Sequence, residues 1–175
     1  MAENSAGLQI NLRPMTWEDL NQVEAIDRAV FSTPWPKEAF SYELKRPHHS
    51  VCWVAEVNGS NVAGLIVGTI VIWLVLDEGH IGTLAVRAGY RQQGIAQRLL
   101  AAALLECARR GTERALLEVR VSNQPARELY QKFGFATVGV RHGYYQDTHE
   151  DALLMTLTPL DVEKLANLQR VKSSG

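Results

Sequence analysis

The chain has 175 residues, 46% of them hydrophobic, which is enough for one domain with a sizeable core. Its formal net charge of −1 gives no bulk electrostatic reason to expect a nucleic-acid partner. The 2 cysteines, Cys52 and Cys107, lie far apart without metal-type spacing; Cys107 falls on the apolar side of a helical pattern and reads as a buried reduced thiol, which suits a cytoplasmic protein.

In chain order, residues 1–7 are polar and carry no apolar signal-peptide core. Residues 9–13 read as a short strand. Thr16-x-x-Asp19 resembles a helix N-cap with an acid in the first turn, and Leu20, Val23, Ile26 and Val30 then recur at helical spacing. Ser32-Thr-Pro-Trp-Pro36 breaks that helix, and residues 37–45 read as a second short helix stopped by Pro47. Residues 51–57 form a strand, with Asn58-Gly59 as the hairpin turn into the almost wholly apolar run 62–76. That run is shorter than the roughly 18–20 residues of a membrane helix. It is rich in Val and Ile and bounded by turn-like segments, so a long buried strand is expected. Asp77-Glu-Gly79 turns the chain into a strand over residues 80–86.

The best-defined helix comes next. Ile95, Leu99, Ala103 and Cys107 share one face, Arg109 and Arg110 occupy the last turn, and Gly111 sits where a terminating glycine belongs. Residues 115–120 form a strand. Ser122 or Asn123 can cap the next helix, Pro125 is tolerated in its first turn, Glu128 and Lys132 are spaced as an ion pair, and Gly134 can end it. Residues 135–141 and 151–158 are two closing strands. A tail over 159–175 is expected to hold a short helix to residue 170 and a disordered end, leaving one domain over residues 8–158. There is no internal repeat.

The turn Arg91-Gln-Gln-Gly-Ile-Ala96 stands between a strand and a long helix. Backbone N–H groups at such a helix start, at the positive end of its dipole, attract phosphate. An ordinary connecting loop is the other reading, and neither common nucleotide motif, G-x-x-x-x-G-K-[ST] or G-x-G-x-x-G, is present. Glu118 shares one strand face with Leu116 and Arg120. It is either a surface acid beside Arg120 or a general base near a reacting amine. Tyr130 is either a core tyrosine or a phenol that protonates a leaving thiolate; a phenol near pKa 10 against a thiol near about 8.5 is protonated at neutral pH. Asn123 can be a helix cap or a cofactor contact. Tyr144 and Tyr145 can line a peptide groove or merely pack. His48 and His49 read as surface residues, with no carboxylate or cysteine at ligand spacing.

Leu84-Ala-Val86, Tyr90-Arg-x-x-Gly-Ile-Ala96, Leu117-Glu-Val-Arg-x-Ser-Asn123, Leu129-Tyr-x-x-x-Gly-Phe135, Tyr144-Tyr145 and Glu150-Asp-Ala152 occur in one order with tight spacing. With Pro34-Trp35 and Val75-Leu-Asp-Glu78 upstream, the chain resembles the bacterial ribosomal-protein-alanine N-acetyltransferases of the GNAT superfamily over residues 12–157. The loop departs only at Ala96, where many relatives have glycine, and alanine still lets phosphate approach. The resemblance implies an α/β (α+β) fold with a mixed, splayed sheet flanked by helices. It implies acetyl-CoA as co-substrate, with its pantetheine arm beside Leu84, Ala85 and Val86. The pyrophosphate would lie on the backbone of Gln92, Gln93, Gly94, Ile95, Ala96 and Gln97, and Asn123 would contact the cofactor. It further implies Glu118 as base, Tyr130 as acid, and an N-terminal alanine of a small-subunit ribosomal protein as acceptor, with no metal, nucleic acid or membrane partner. Two alternatives stay open: acetylation of lysines or small amines on the same fold, and a non-catalytic acyl-CoA-binding module.

Overall fold

The computed structural model describes residues 9–59 and 62–170; the expectations for residues 1–7 and 171–175 fall outside them. Its seven strands are β1 (Gln9–Pro14), β2 (Ser50–Gly59), β3 (Val62–Val75), β4 (Glu78–Val86), β5 (Arg114–Arg120), β6 (Ala136–Arg141) and β7 (Ala152–Leu157). They form one sheet in the order β1-β2-β3-β4-β5-β7-β6. Only β4 and β5 run parallel; every other neighbouring pair is antiparallel. Helices α1 (Leu20–Val30) and α2 (Ala39–Leu44) cover one face, and α3 (Ile95–Arg109), α4 (Gln124–Phe133) and α5 (Val162–Arg170) cover the other.

This layering explains why β3 is apolar on both sides. Ile66 and Val71 pack with Val23, Ile26 and Phe40 under α1 and α2, while Val67, Ile70 and Ile72 pack with Ile95, Leu99 and Leu104 of α3. A central strand buried on both faces has no use for polar alternation. Among the described residues no helix is long and apolar enough to cross a membrane. Cys107 is buried and unpaired, and burial pushes its thiol up to about 12.

The start of α1 is tied to the sheet edge. The buried Asp19 carboxylate accepts from Thr16 N–H at 2.8 Å and from both Arg13 terminal nitrogens at 2.7 and 2.9 Å, while Arg13 Nε reaches Glu56 at 3.1 Å. A forked guanidinium bridging two carboxylates fixes orientation as well as distance.

Several local expectations shift. Asn58 pairs with Gln9 and Gly59 with Val62, so β2 runs through the expected turn; residues 60–61 between the two strands lie outside the described ones. Pairing with β1 is what holds Asn58 in the sheet. The next turn is Leu76-Asp77, and Glu78 and Gly79 already belong to β4, paired with Val75 and Leu74. Helix α2 begins only at Ala39. Lys132 does not pair with Glu128: its Nζ donates to Gln97 Oε1 at 2.6 Å, and Glu128 accepts from Gln124 at 2.8 Å. Gln97 Nε2 in turn donates to the Leu168 carbonyl at 2.8 Å, and with Leu165 buried in the core these contacts dock α5 on α3.

Two features of β4 shape the middle of the sheet. Its parallel pairing with β5 covers only Glu78↔Arg114, Gly79↔Ala115 and His80↔Leu116, after which the strands diverge. Its pairing with β3 skips Gly82, a bulge whose missing side chain makes room for the stacked Trp35 and Trp73: a Cβ there would stand 2.9 Å from Trp73 and 3.0 Å from Trp35.

Asp27 of α1 is 1% exposed; one oxygen accepts from Trp35 N–H at 2.7 Å and the other has no partner. Burial raises its carboxyl above the usual 3.8. The folded pKa exceeds the unfolded one, so this group's contribution to stability is complete below the unfolded value and is lost as pH rises through the folded value. Asp27→Asn keeps an acceptor for Trp35 and removes the titration. Its melting temperature, followed by calorimetry upward from about pH 4, should fall less with pH than that of the parent; an identical pH profile would show Asp27 to be ionised in the fold.

Candidate active site

Beyond His80 the edge of β4 that faces β5 has no strand partner among the described residues, so the backbone from Ile81 through Leu84, Ala85 and Val86 is open to a ligand. The chain then passes through a short turn over Ala88–Tyr90 into the start of α3. Arg91 Nε donates to the Val86 carbonyl at 3.1 Å, fastening the loop to the strand end. Gln92 (φ 60°) and Gly94 (φ 73°) both adopt the left-handed conformation, and Gly94 is the N-cap of α3. Among the described residues no protein acceptor takes the N–H groups of Gln92, Gln93, Gly94, Ile95, Ala96 or Gln97. Six free donors at the positive end of a 15-residue helix form an anion cradle. The Gln97 side chain is not part of it, being held by Lys132 and α5.

Across the splay, β5 presents Leu117 and Val119 to the core and Glu118 to the opposite face. The Glu118 side chain is 32% exposed, and its nearest cation is Arg141 of β6 at 3.8 Å. Arg120, on the same face, does not pair with Glu118 but turns to the β6–β7 loop. Asn123 caps α4, its Oδ1 accepting from Ala126 N–H at 3.3 Å; its amide nitrogen makes no bond within the described protein. On α4, Tyr130 is 7% exposed and packs edge-on against Phe135 at 5.5 Å. Burial pushes its phenol well above 10, with a further push from Tyr145. Tyr145 is raised to about 12, chiefly by burial; Arg120 opposes this, and Tyr144, Glu118 and Glu150 reinforce it.

Tyr144 and Tyr145 meet edge to face at 5.1 Å in the loop between β6 and β7. Tyr144 is 41% exposed and Tyr145 is half-buried, so Tyr144 is the freer to meet a ligand. Arg120 holds this loop: it donates to both Asp147 oxygens at 2.9 and 2.8 Å and to Thr148 at 3.0 Å, and its guanidinium lies 3.9 Å over the Tyr145 ring. Ser32, in the loop after α1, donates to Asp147 at 2.6 Å, and Glu150 accepts from Ser122 N–H at 2.7 Å. The Ser32 hydrogen bond, seconded by Arg120, holds the Asp147 carboxyl down to about 2. Sequence reading placed Arg120 beside Glu118 and missed this role; only the acid-rich segment after Tyr145 hinted at a partner. His48 and His49 are exposed, and no cluster of metal-ligating side chains occurs among the described residues.

The sequence profile of the acetyltransferase (GNAT) family matches residues 20–135. A Bacillus subtilis (strain 168) protein named as a candidate [ribosomal protein bS18]-alanine N-acetyltransferase is 37% identical over 147 residues, 84% of this chain and 94% of that protein. An N-alpha-acetyltransferase of Saccharolobus solfataricus is 33% identical over 89% of this chain and 96% of its own length. The crystal structure of the ribosomal-protein-S18-alanine N-acetyltransferase from Escherichia coli superposes with a TM-score of 0.76 at 27% identity, covering 86% of this chain and 94% of that one.

Nothing lies within 4 Å of where a Gly94 Cβ would stand, so Gly94→Ala should fold, at a cost of about 1–2 kcal/mol for the left-handed backbone. It should weaken coenzyme A binding by about tenfold, or ~1.4 kcal/mol, in a calorimetric titration. Unchanged affinity would remove the loop from the binding site.

Proposed function

The chain belongs to the acetyltransferase (GNAT) family, and on that premise we propose that it transfers the acetyl group of acetyl-CoA to the α-amine of an N-terminal alanine, with ribosomal protein bS18, named for its bacterial relatives, as the first candidate substrate. A ribosomal substrate carries with it a cytoplasmic site of action. The observation that carries this reading is the splay itself, with the N–H groups of residues 92–97 following β4 on one side and Glu118 on β5 on the other.

The residues suit acetyl-CoA. The cradle over residues 92–97 offers only N–H donors, the chemistry a pyrophosphate requires. The open edge at Leu84, Ala85 and Val86 suits the amide-rich pantetheine arm, and Asn123 has a free amide donor beside the helix it caps. Bound acetyl-CoA supplies an acyl group already activated as a thioester.

Glu118 takes the proton from the incoming α-ammonium, directly or through a water, and its exposure leaves it open to that approach. A free N–H of β4 polarises the carbonyl under attack. Tyr130, protonated at neutral pH like any ordinary phenol, gives its proton to the departing sulfur. Tyr144 and Tyr145 form the peptide-side wall. The amine type favours an N-terminus: at pH 7 roughly a tenth of α-amines are neutral, against under about a thousandth of lysine side chains. A lone, partly exposed carboxylate is matched to the easier deprotonation. Broader acceptance of other N-termini accords with the archaeal N-alpha-acetyltransferase relative.

Offered acetyl-CoA with Ala-initiated peptides, N-blocked lysine peptides and small amines, the enzyme should acetylate the first; transfer confined to the other two would move the assignment to a lysine or small-amine enzyme, and no transfer at all would make it a binding module. Glu118→Gln should slow acetylation by about 10²-fold or more, most severely at low pH, and wild-type rates at pH 6–7 would remove Glu118 from the proton path. Tyr130→Phe should lower kcat by about tenfold or more with acetyl-CoA affinity unchanged. Lost affinity would make Tyr130 a packing residue for the cofactor.

A further inference from the structure

We infer that Arg120 is a positioning residue that clasps the two loops flanking the acceptor side of the site, and so governs capture of the peptide rather than acetyl-CoA binding. The inference rests on the proposed N-terminal acetyltransferase reading for what the loops receive.

The geometry is unusual for an arginine beside a carboxylate strand. Arg120 and Glu118 share a face of β5, yet Arg120 is drawn away from Glu118 by a set of partners along one loop. Its Nη2 forks onto Asp147, its Nη1 reaches Thr148 at 3.0 Å and Glu150 at 3.5 Å, and its plane covers Tyr145. The side chain is only 22% exposed, as is that of Asp147, so the pair is less screened than a surface bridge. Asp147 then passes the constraint on, because its second bond, from Ser32 at 2.6 Å, belongs to the loop after α1. Glu150 closes the circuit onto the backbone at Ser122, one residue before the α4 cap. One guanidinium on β5 therefore sets the β6–β7 loop against the α1–α2 loop and holds the Tyr145 ring under its plane.

The charge arrangement also has a consequence for Glu118. With Arg120 committed to Asp147 and Glu150, the cation paired with Glu118 among the described residues is Arg141 at 3.8 Å, which is 55% exposed and displaceable. Lysine cannot substitute, since its single ammonium cannot serve Asp147 from one nitrogen and Thr148 from another while laying a planar group on the Tyr145 ring.

The test compares wild type with Arg120→Lys, Arg120→Met and the milder Ser32→Ala. Peptide KM, kcat and acetyl-CoA Kd are measured together with hydrogen-exchange protection of residues 142–150. For both Arg120 variants the expected result is a peptide KM raised about tenfold, kcat within about threefold and an unchanged acetyl-CoA Kd. Protection should be lost in residues 142–150 and kept elsewhere in the sheet. Ser32→Ala should move KM and loop protection in the same direction by a smaller factor. Unaltered KM, unaltered loop protection, or a proportionate loss of acetyl-CoA affinity overturns the clasp. Loss of protection throughout the Arg120 variants makes the residue a general stabiliser, and Ser32→Ala with wild-type KM then overturns the proposal. If the wild-type enzyme acetylates no N-terminal peptide, the functional reading fails, while loop protection still decides whether Arg120 is the clasp.

Discussion

Everything in the site depends on three residue pairs. The parallel ladder between β4 and β5 stops after His80↔Leu116, and beyond that point two strands in the middle of a seven-stranded sheet part company. The unpaired edges survive because each strand is secured on its other side, β4 by β3 and β5 by β7, and because α3 packs its apolar face beneath. A backbone that leaves its own N–H and C=O groups unmatched must have them met by solvent or ligand. Both parallel strands deliver their next segments to the same place: β4 leads into the anion cradle, and β5 into Asn123 and α4. This is the general logic of ligand sites at a switch point in an open sheet.

The proposed acceptor side is organised differently. Where the proposed cofactor side is built from backbone, the proposed acceptor side is built from side-chain charge, with Arg120 at the centre and Asp147, Glu150 and Ser32 around it. Backbone geometry is indifferent to pH and salt, whereas a charge network is tunable. A fold that must hold one invariant cofactor and meet variable peptides gains from that division.

Much of this was legible in the sequence for physical reasons. The i, i+4 apolar repeat of Ile95, Leu99, Ala103 and Cys107 can only be satisfied by a helix with one buried face, and all four are buried. The run 62–76 was too short for a membrane and too branched for a helix; its middle, residues 66–72, lies between two helical layers, while Val75 and Leu76 at its end are exposed. The loop over residues 92–97 was recognisable because a helix start is a local structure. What stayed hidden was non-local. Ser32 and Asp147 are brought together by the approach of two loops, and Gln97 meets Leu168 through helix packing; neither pairing leaves a trace in local spacing. The same competition explains the misreadings: Lys132 finds Gln97 before Glu128, Arg120 finds Asp147 before Glu118, and Asn58 is held by β1 when its own turn propensity would end the strand.

The bulge at Gly82 has a consequence for how such an enzyme can change. Its missing side chain lets the stacked Trp35 and Trp73 approach β4 closely, the strand whose far edge lines the splay. One backbone position thus serves two rooms at once, as a party wall between them. Any residue larger than glycine would push the tryptophans outward or the strand inward. New acceptor preferences therefore have to be written in the loops, at positions such as Ser32, Tyr144 and Asp147, and cannot be written in the wall itself.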